Sequence, residues 1–322
     1  MLKVGVIGLG VMGRNHARVL AGLHSVEIVS LFDAFSEPGQ SLHGIKLVQT
    51  VRDFLSVDMD YAVVASPTST HLEYALLLAD AGVHALIEKP VATSVSEADQ
   101  ILSAFELAGL VGAVGHVERF NPALQALKEK IKDGLIGEVI QISTRRQGPF
   151  PGRIADVGVV KDLASHDIDL TSWIAGSKYA VASGQLAYRS GRPHEDALIA
   201  VGALENGVLV SHLVNWLSPF KERQTAVLGE KGLLMADTLA VDLTFAQNGT
   251  VTSSWDIQTQ FRGATEGDVI KFALQRKEPL VAEHEAMVRA VLGDSESGIV
   301  SLSEGREVLR VAEVLLGAGT HE

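Results

Sequence analysis

The run Lys3-Val-Gly-Val-Ile-Gly8-Leu-Gly10-Val11-Met12-Gly13-Arg14 constrains this chain more than any other stretch. A short Val/Ile segment before clustered glycines reads as a buried strand, a tight turn and a helix start. Gly8, Gly10 and Gly13 fit G-x-G-x-x-G. The first glycine permits the turn, the second lets backbone approach a pyrophosphate, and the third lets helix and strand pack closely. The helix N-terminus offers unpaired N–H groups and a positive dipole end to the phosphates. Gly8, Gly10, Val11, Met12 and Gly13 are therefore candidate dinucleotide contacts.

A helix is expected from about Met12 to Ala21, with His16 either facing the cofactor or packed against the sheet. The next strand, Glu27–Phe32, ends at Asp33, 20 residues beyond Gly13. A carboxylate there accepts hydrogen bonds from the adenosine ribose hydroxyls and repels a 2′-phosphate, so NAD is expected in preference to NADP. Val51–Leu55 reads as a short helix. The strand Asp60–Ala65 runs into Ser66-Pro67-Thr68-Ser69-Thr70-His71. Ligands of open α/β sheets bind beyond the carboxyl ends of strands, so Ser66, Pro67, Thr68 and His71 are expected beside the nicotinamide half. Thr70 and Glu73 also have the spacing of a capping box for the following helix. The strand Val83–Ile87 ends in Glu88-Lys89-Pro90, a helix is expected over Ser96–Ala108, and a last strand over Val111–Gly115. Five strands alternating with helices predict an α/β fold, an N-terminal Rossmann doubly wound parallel sheet.

The 322 residues suggest two domains, 1–119 and 120–322. A net charge of −12 argues against a nucleic-acid binder, which needs a basic face. The absence of cysteine excludes disulfides, thiolate metal sites and cysteine nucleophiles. No apolar run reaches membrane-spanning length. The chain opens on a strand rather than a signal-peptide pattern, so a cytoplasmic location is expected. No metal set is evident.

In order and spacing, the glycine turn, Ser66-Pro67-x-x-x-His71 and Glu88-Lys89-Pro90 resemble the glucose–fructose oxidoreductase/inositol dehydrogenase (Gfo/Idh/MocA) family. The resemblance implies that Lys89 contacts both nicotinamide and substrate, with Glu88 beside it in the cofactor site. Beyond the expected boundary, Arg119-Phe120-Asn121-Pro122 is similar to the segment opening the family's substrate domain, which implies a substrate contact for Arg119. Asn121 and Pro122 equally suit a helix cap and first turn. Arg145, Arg146 and Arg153 lie within nine residues of one another after the strand Glu138–Thr144. Arginine suits bidentate phosphate or carboxylate contacts, so these three are candidates for an anionic substrate group, against the alternative of a solvated loop.

Asp162 and His166 are four apart in an expected helix and so share a face. They also resemble the family's Asp-x-x-x-His catalytic dyad. From about Tyr179 to Trp255 the pattern alternates as strands, with hairpin signals at Glu205-Asn206-Gly207 and Gln247-Asn248-Gly249. Helical patterns return at Glu266–Gln275, Ala282–Leu292 and Ser303–Leu316. The second domain is thus expected to be α+β on a mostly antiparallel open sheet.

The resemblance implies an NAD-dependent dehydrogenase of secondary alcohols in sugars, cyclitols or nucleotide sugars. Lys89, Asp162 and His166 would be its catalytic residues, and the assembly a homodimer or homotetramer. The stretch from Gly148 to Asp169 is similar to members that oxidise UDP-N-acetylglucosamine at C3. A non-catalytic NAD-binding regulator and an NAD-dependent glycosidase remain the alternatives.

Overall fold

The computed structural model describes residues 1–152, 157–249 and 265–318. The chain divides into two compact units, Met1–Val117 with Glu278–Arg310, and Glu118–Lys277 with Val311–Glu322.

The first unit is built on β1 (Leu2–Ile7), β2 (Val26–Phe32), β3 (Ser41–Leu42), β4 (Ile45–Val48), β5 (Tyr61–Val64), β6 (His84–Glu88) and β7 (Gly112–Gly115), in the order β3-β4-β2-β1-β5-β6-β7. All pairings are parallel except β3 with β4, a small hairpin that the sequence pattern did not reveal. Val4 and Val6 enter one apolar cluster and Ile7 another, so β1 is buried on both faces, as parallel strands covered by helices are. Helices α1 (Val11–Gly22), α2 (Val51–Leu55), α3 (His71–Asp80) and α4 (Val95–Ala108) supply the connections. Gly5 makes room for Phe54: a Cβ there would lie 2.3 Å from the ring. The strand order reverses at β1, between β2 and β5, which is where such sheets open a ligand crevice.

The second unit begins with α5 (Pro122–Lys132), where Asn121 accepts the Ala123 N–H and Pro122 occupies the first turn. An eight-stranded sheet follows: β8 (Val139–Pro149), β9 (Tyr179–Ala187), β10 (Ala197–Leu204), β11 (Leu209–Asn215), β12 (Leu217–Gly229), β13 (Gly232–Asp237), β14 (Asp242–Gly249) and β15 (Thr265–Phe272). Its order is β15-β14-β13-β12-β8-β11-β10-β9, antiparallel except between β8 and β11. A π-helical turn, Val160–Ala164, leads into α6 (Ser165–Ala175). The expected turn at Glu205-Asn206-Gly207 joins β10 to β11, with Gly207 at φ 86°.

Three expectations need correction here. Asn248 and Gly249 do not turn; they lie in β14 and pair with Glu266 and Thr265. The expected helix at Glu266–Gln275 is largely β15, because Phe272 and Ile270 pair with Leu243 and Phe245. The second domain was expected to hold everything from 120 to 322, yet residues 278–310 fold with the first sheet. There, α7 (Pro279–Val291) adds Met287 and Val288 to the cluster under β1. Val114 donates to the Val300 carbonyl at 2.8 Å, and Leu302, at the start of α8 (Leu302–Ala318), packs where a Gly112 side chain would be.

Candidate functional site

In the first unit the glycine turn is held by contacts that tolerate no side chain. Gly8 has φ 84°, and a Cβ there would sit 2.5 Å from the Ser66 nitrogen. A Cβ on Gly13 would sit 1.8 Å from the Gly8 carbonyl oxygen. Gly10 differs, because a Cβ there would meet nothing within 4 Å. The first and third glycines therefore close strand onto helix, while the second leaves an open approach to the N-terminus of α1. Among the described residues, no side chain at its N-cap position, Gly10, caps that terminus. A cavity of about 450 Å³ is lined by Leu9, Gly10, Arg14, Asp33, Phe35 and Ser36, among others. Asp33 is fixed at its edge: Oδ2 accepts the Leu9 N–H at 2.6 Å and Oδ1 the Phe35 N–H at 2.9 Å. An open glycine, bare helix N–H groups and an oriented carboxylate form a donor and acceptor set that fits a dinucleotide.

The loop after β5 turns through a 3₁₀ helix at Thr68–Thr70. Thr70 does not form the expected capping box; its hydroxyl donates back to Ser66 Oγ and the Pro67 carbonyl, both at 2.8 Å. His71 is buried, with Nε2 at 2.9 Å from the Ser66 carbonyl and Nδ1 at 3.1 Å from the Pro90 carbonyl. Burial pushes its imidazole below the usual value, against the pull of those carbonyls. His71 thus ties the loop after β5 to the loop after β6 instead of presenting its ring to a cofactor, a correction to its expected role.

Glu88, also expected at the cofactor, is buried at the end of β6. His16 Nε2–H donates to its Oε1 at 2.8 Å, and the Lys89 backbone N–H donates to Oε2 at 3.1 Å. His16 itself is fully buried, which decides its alternatives in favour of packing. Lys89, the next residue, is half-buried beyond the carboxyl end of β6.

In the second unit, Asp162 lies in the π-helical turn and His166 in the first turn of α6, both half-buried. The single regular helix expected for them is interrupted between the two. Single π turns within helices are frequent at functional sites.

The arginines are placed differently from expectation. The strand read as ending at Thr144 continues to Pro149, so Arg145 and Arg146 fall on opposite faces of the sheet. Arg146 points toward α6: Nε donates to Asp167 at 2.9 Å, Nη1 lies 3.3 Å from Glu118, and the side chain is 4% exposed. Burial alone would favour a neutral guanidinium, but the two carboxylates outweigh it and raise the arginine above its usual value. Arg145 is exposed on the other face, 3.5 Å from Glu222. Arg119 is buried in a two-point pair with Asp169, Nε to Oδ2 at 2.8 Å and Nη2 to Oδ1 at 2.6 Å. Arg119 and Arg146 are therefore engaged by carboxylates of the chain itself. Arg153 lies outside the described residues.

The sequence reading missed Arg223. It pairs in register with Arg146 on the face toward α6, and Nη1 donates to the Gln147 and Glu222 carbonyls at 2.9 and 2.8 Å. Burial and the charge of Arg146 lower it, while Glu118, Asp167 and Asp162 pull the other way. It is a cation in the electrostatic field of Asp162. Period-2 alternation through Arg223, Thr225 and Val227 was the available signal.

No helix among the described residues is long and apolar enough to cross a membrane. Residues 2–116 match the family described as "Oxidoreductase family, NAD-binding Rossmann fold", and residues 124–235 match the "GFO/IDH/MocA C-terminal domain". The chain is similar to UDP-N-acetylglucosamine 3-dehydrogenase of Acidithiobacillus ferrooxidans, 35% identical over 182 residues that cover 55% of each protein. It is similar to inositol 2-dehydrogenase 2 of Saccharopolyspora erythraea, 31% identical over 222 residues that cover 65% of each. These matches thus span between about half and two thirds of the relatives' lengths. A solved structure of the Acidithiobacillus ferrooxidans enzyme shares the fold with a TM-score of 0.83 and 25% identity, over 99% of this chain and 97% of that one. The chain belongs to the Gfo/Idh/MocA oxidoreductase family.

Proposed function

We propose that this protein is an NAD-dependent dehydrogenase that oxidises a secondary alcohol of a sugar, cyclitol or nucleotide sugar. The observation that carries this reading is the glycine turn opening at Gly10 onto a cavity edged by the fixed Asp33 carboxylate. The similar proteins named as UDP-N-acetylglucosamine and inositol dehydrogenases supply the substrate class. The expected division at residue 119 is kept for the cofactor and substrate roles, with residues 278–310 added to the cofactor unit.

A bound NAD would supply the hydride acceptor. Gly8, Gly10, Val11, Met12 and Gly13 would hold its pyrophosphate, Asp33 its adenosine ribose, and Ser66, Pro67 and Thr68 its nicotinamide side. Oxidation also requires an acceptor for the hydroxyl proton and a donor for the developing alkoxide. His166 takes the proton, Asp162 supports the imidazolium so formed, and the Lys89 ammonium donates to the alkoxide oxygen. In reduction, His166 returns the proton.

For an anionic substrate group, Arg223 replaces Arg145 and Arg146 as the candidate. Arg223→Ala should raise KM for a UDP-sugar more than it lowers kcat, and affinity should weaken as salt rises. A second copy of the chain is the proposed macromolecular partner. The sheet face away from α6 exposes Val181, Ile199, Val201 and Leu209 more than halfway, an apolar area suited to a homodimer or homotetramer. A cytoplasmic location accords with this chemistry.

A screen for NADH production with UDP-N-acetylglucosamine, free N-acetylglucosamine and myo-inositol tests the reading. NADH released in proportion to oxidised sugar supports it. NAD binding without turnover of any sugar points to a regulator, and glycoside hydrolysis without net NADH points to a glycosidase.

A further inference from the structure

Beneath Lys89 the first unit buries five titratable side chains. Glu88 is 8% exposed, Glu283 2%, and His16, His284 and Tyr61 are fully buried. Four of them, all but Glu283, connect in sequence. His16 Nε2–H donates to Glu88 Oε1 at 2.8 Å, and His16 Nδ1 stands 2.9 Å from His284 Nε2. The two rings meet edge to face at 88°, and the Tyr61 hydroxyl lies 3.5 Å behind, near His284 Nδ1.

The geometry restricts the protons. Only one hydrogen fits between His16 Nδ1 and His284 Nε2. When His284 Nε2 carries it, His16 has its own hydrogen on Nε2 and donates to Glu88. A buried carboxyl ordinarily takes up a proton to escape its charge. Burial acts that way on Glu88, but the hydrogen bond and charge of His16, with the charge of Lys89, leave it lowered. Glu283 shows the contrast: neither of its oxygens has a hydrogen-bond partner among the described residues, and burial beside Glu88 raises it well above the usual value. Of two buried carboxyls, only the one touched by His16 is held as an anion. Its second oxygen accepts the Lys89 backbone N–H.

We propose that His16 is a positioning residue for Lys89. It orients Glu88 as an anion, which anchors the Lys89 backbone and sets a negative charge against the Lys89 ammonium. The proposal rests on the reading of Lys89 as the alkoxide donor, but its test does not require turnover.

The experiment is competitive labelling of the full-length protein by trinitrobenzenesulfonate, with the Lys89 rate referred to that of exposed Lys46 by mass spectrometry. His16→Ala and Glu88→Gln should each raise the Lys89/Lys46 ratio about threefold or more, the scale of a charge–charge interaction lost at a partly exposed site. His16→Gln, whose amide keeps a donor near the position of Nε2, should stay within about twofold of the parent. Glu88→Gln is isosteric and gives the same information if His16→Ala does not fold. An unchanged ratio in Glu88→Gln overturns the proposal. So does an equal rise in His16→Ala and His16→Gln, which marks the histidine as packing only. Turnover separates the two readings. A fully active Lys89→Met would remove Lys89 from catalysis without altering the labelling result. If Lys89→Met is inactive, the positioning role requires His16→Ala to lower kcat while NADH affinity holds, and a His16→Ala protein with parental kcat overturns it.

Discussion

Asp169→Ala tests whether Arg119 is bound into the second unit or reserved for substrate. The Arg119 and Asp169 side chains are 4% and 1% exposed and share two charge-assisted hydrogen bonds, at 2.8 and 2.6 Å. Truncating the carboxylate strands a guanidinium in a site built to neutralise it; the Trp173 ring, 5.9 Å away, is weak compensation. Breaking a buried pair in this way costs about 3–5 kcal/mol. Domains are stable by only about 5–15 kcal/mol, so the loss is a large fraction of the total. At a urea dependence of about 2–3 kcal/mol/M, the unfolding midpoint should fall by roughly 1–2 M. Urea titration followed by circular dichroism and tryptophan fluorescence reads this directly. The paired replacement Arg119→Met with Asp169→Leu should recover most of the loss, because the isolated charge is gone. A midpoint shift below about 0.3 M for Asp169→Ala would refute the argument. Refutation would be sharper still if Arg119→Met raised KM while leaving stability intact, since that is the behaviour of a substrate ligand.

His166→Ala should retain its fold and NADH affinity and lose at least ~100-fold in alcohol oxidation, the lower range for general-base catalysis; a parental rate would remove it from the mechanism. NADH should bind more tightly than NADPH, and Asp33→Ala should narrow the gap by removing both the ribose acceptor and the repulsion. Fluorescence titration measures this, and equal affinities in the parent would end the cofactor assignment. Glu283→Gln should change how stability depends on pH. The Glu283 carboxyl is raised in the folded protein, so its favourable contribution is complete below about pH 4.5 and is lost as pH rises toward the folded value. The amide does not titrate, so the variant should lose less stability between pH 5 and pH 8, read as urea midpoints at both. Parallel pH profiles for parent and variant would contradict the buried, protonated carboxyl.

The first sheet was legible because its constraints are local. Gly8 and Gly13 stand in sequence where backbone collides in space, and Val4, Val6 and Ile7 form a continuous apolar run. Asp33 was legible for the same reason, at a fixed distance from the turn. Features set by distant partners were not. The Glu266–Gln275 segment has helical spacing, but pairing with Phe245 and Leu243 makes most of it an edge strand. Arg145 and Arg146 read as one basic cluster because Gly148 and Pro149 suggest a loop; once β8 continues through them, alternation separates them. Glu88 and His16 are 72 residues apart, and His284 lies another 196 beyond Glu88, so no window of sequence could join them. Arg119 with Asp169, and Arg146 with Asp167, were visible as charges, but their pairwise neutralisation depends on where α6 lies.

The return of residues 278–310 to the first unit has a consequence for biosynthesis. β7 receives Val300 and Leu302, and His16 receives His284, only after every strand of the second unit has been made. At about 5–20 residues per second, the nucleotide-binding sheet waits on the order of ten seconds with that flank uncovered. The β8–β15 strands are made before residue 278, but the second unit also takes in residues from Val311 onward. The nucleotide-binding unit is thus expected to finish only near the end of synthesis, with NAD affinity appearing late. A nascent chain stalled before residue 278 would carry a complete glycine turn on an unfinished domain.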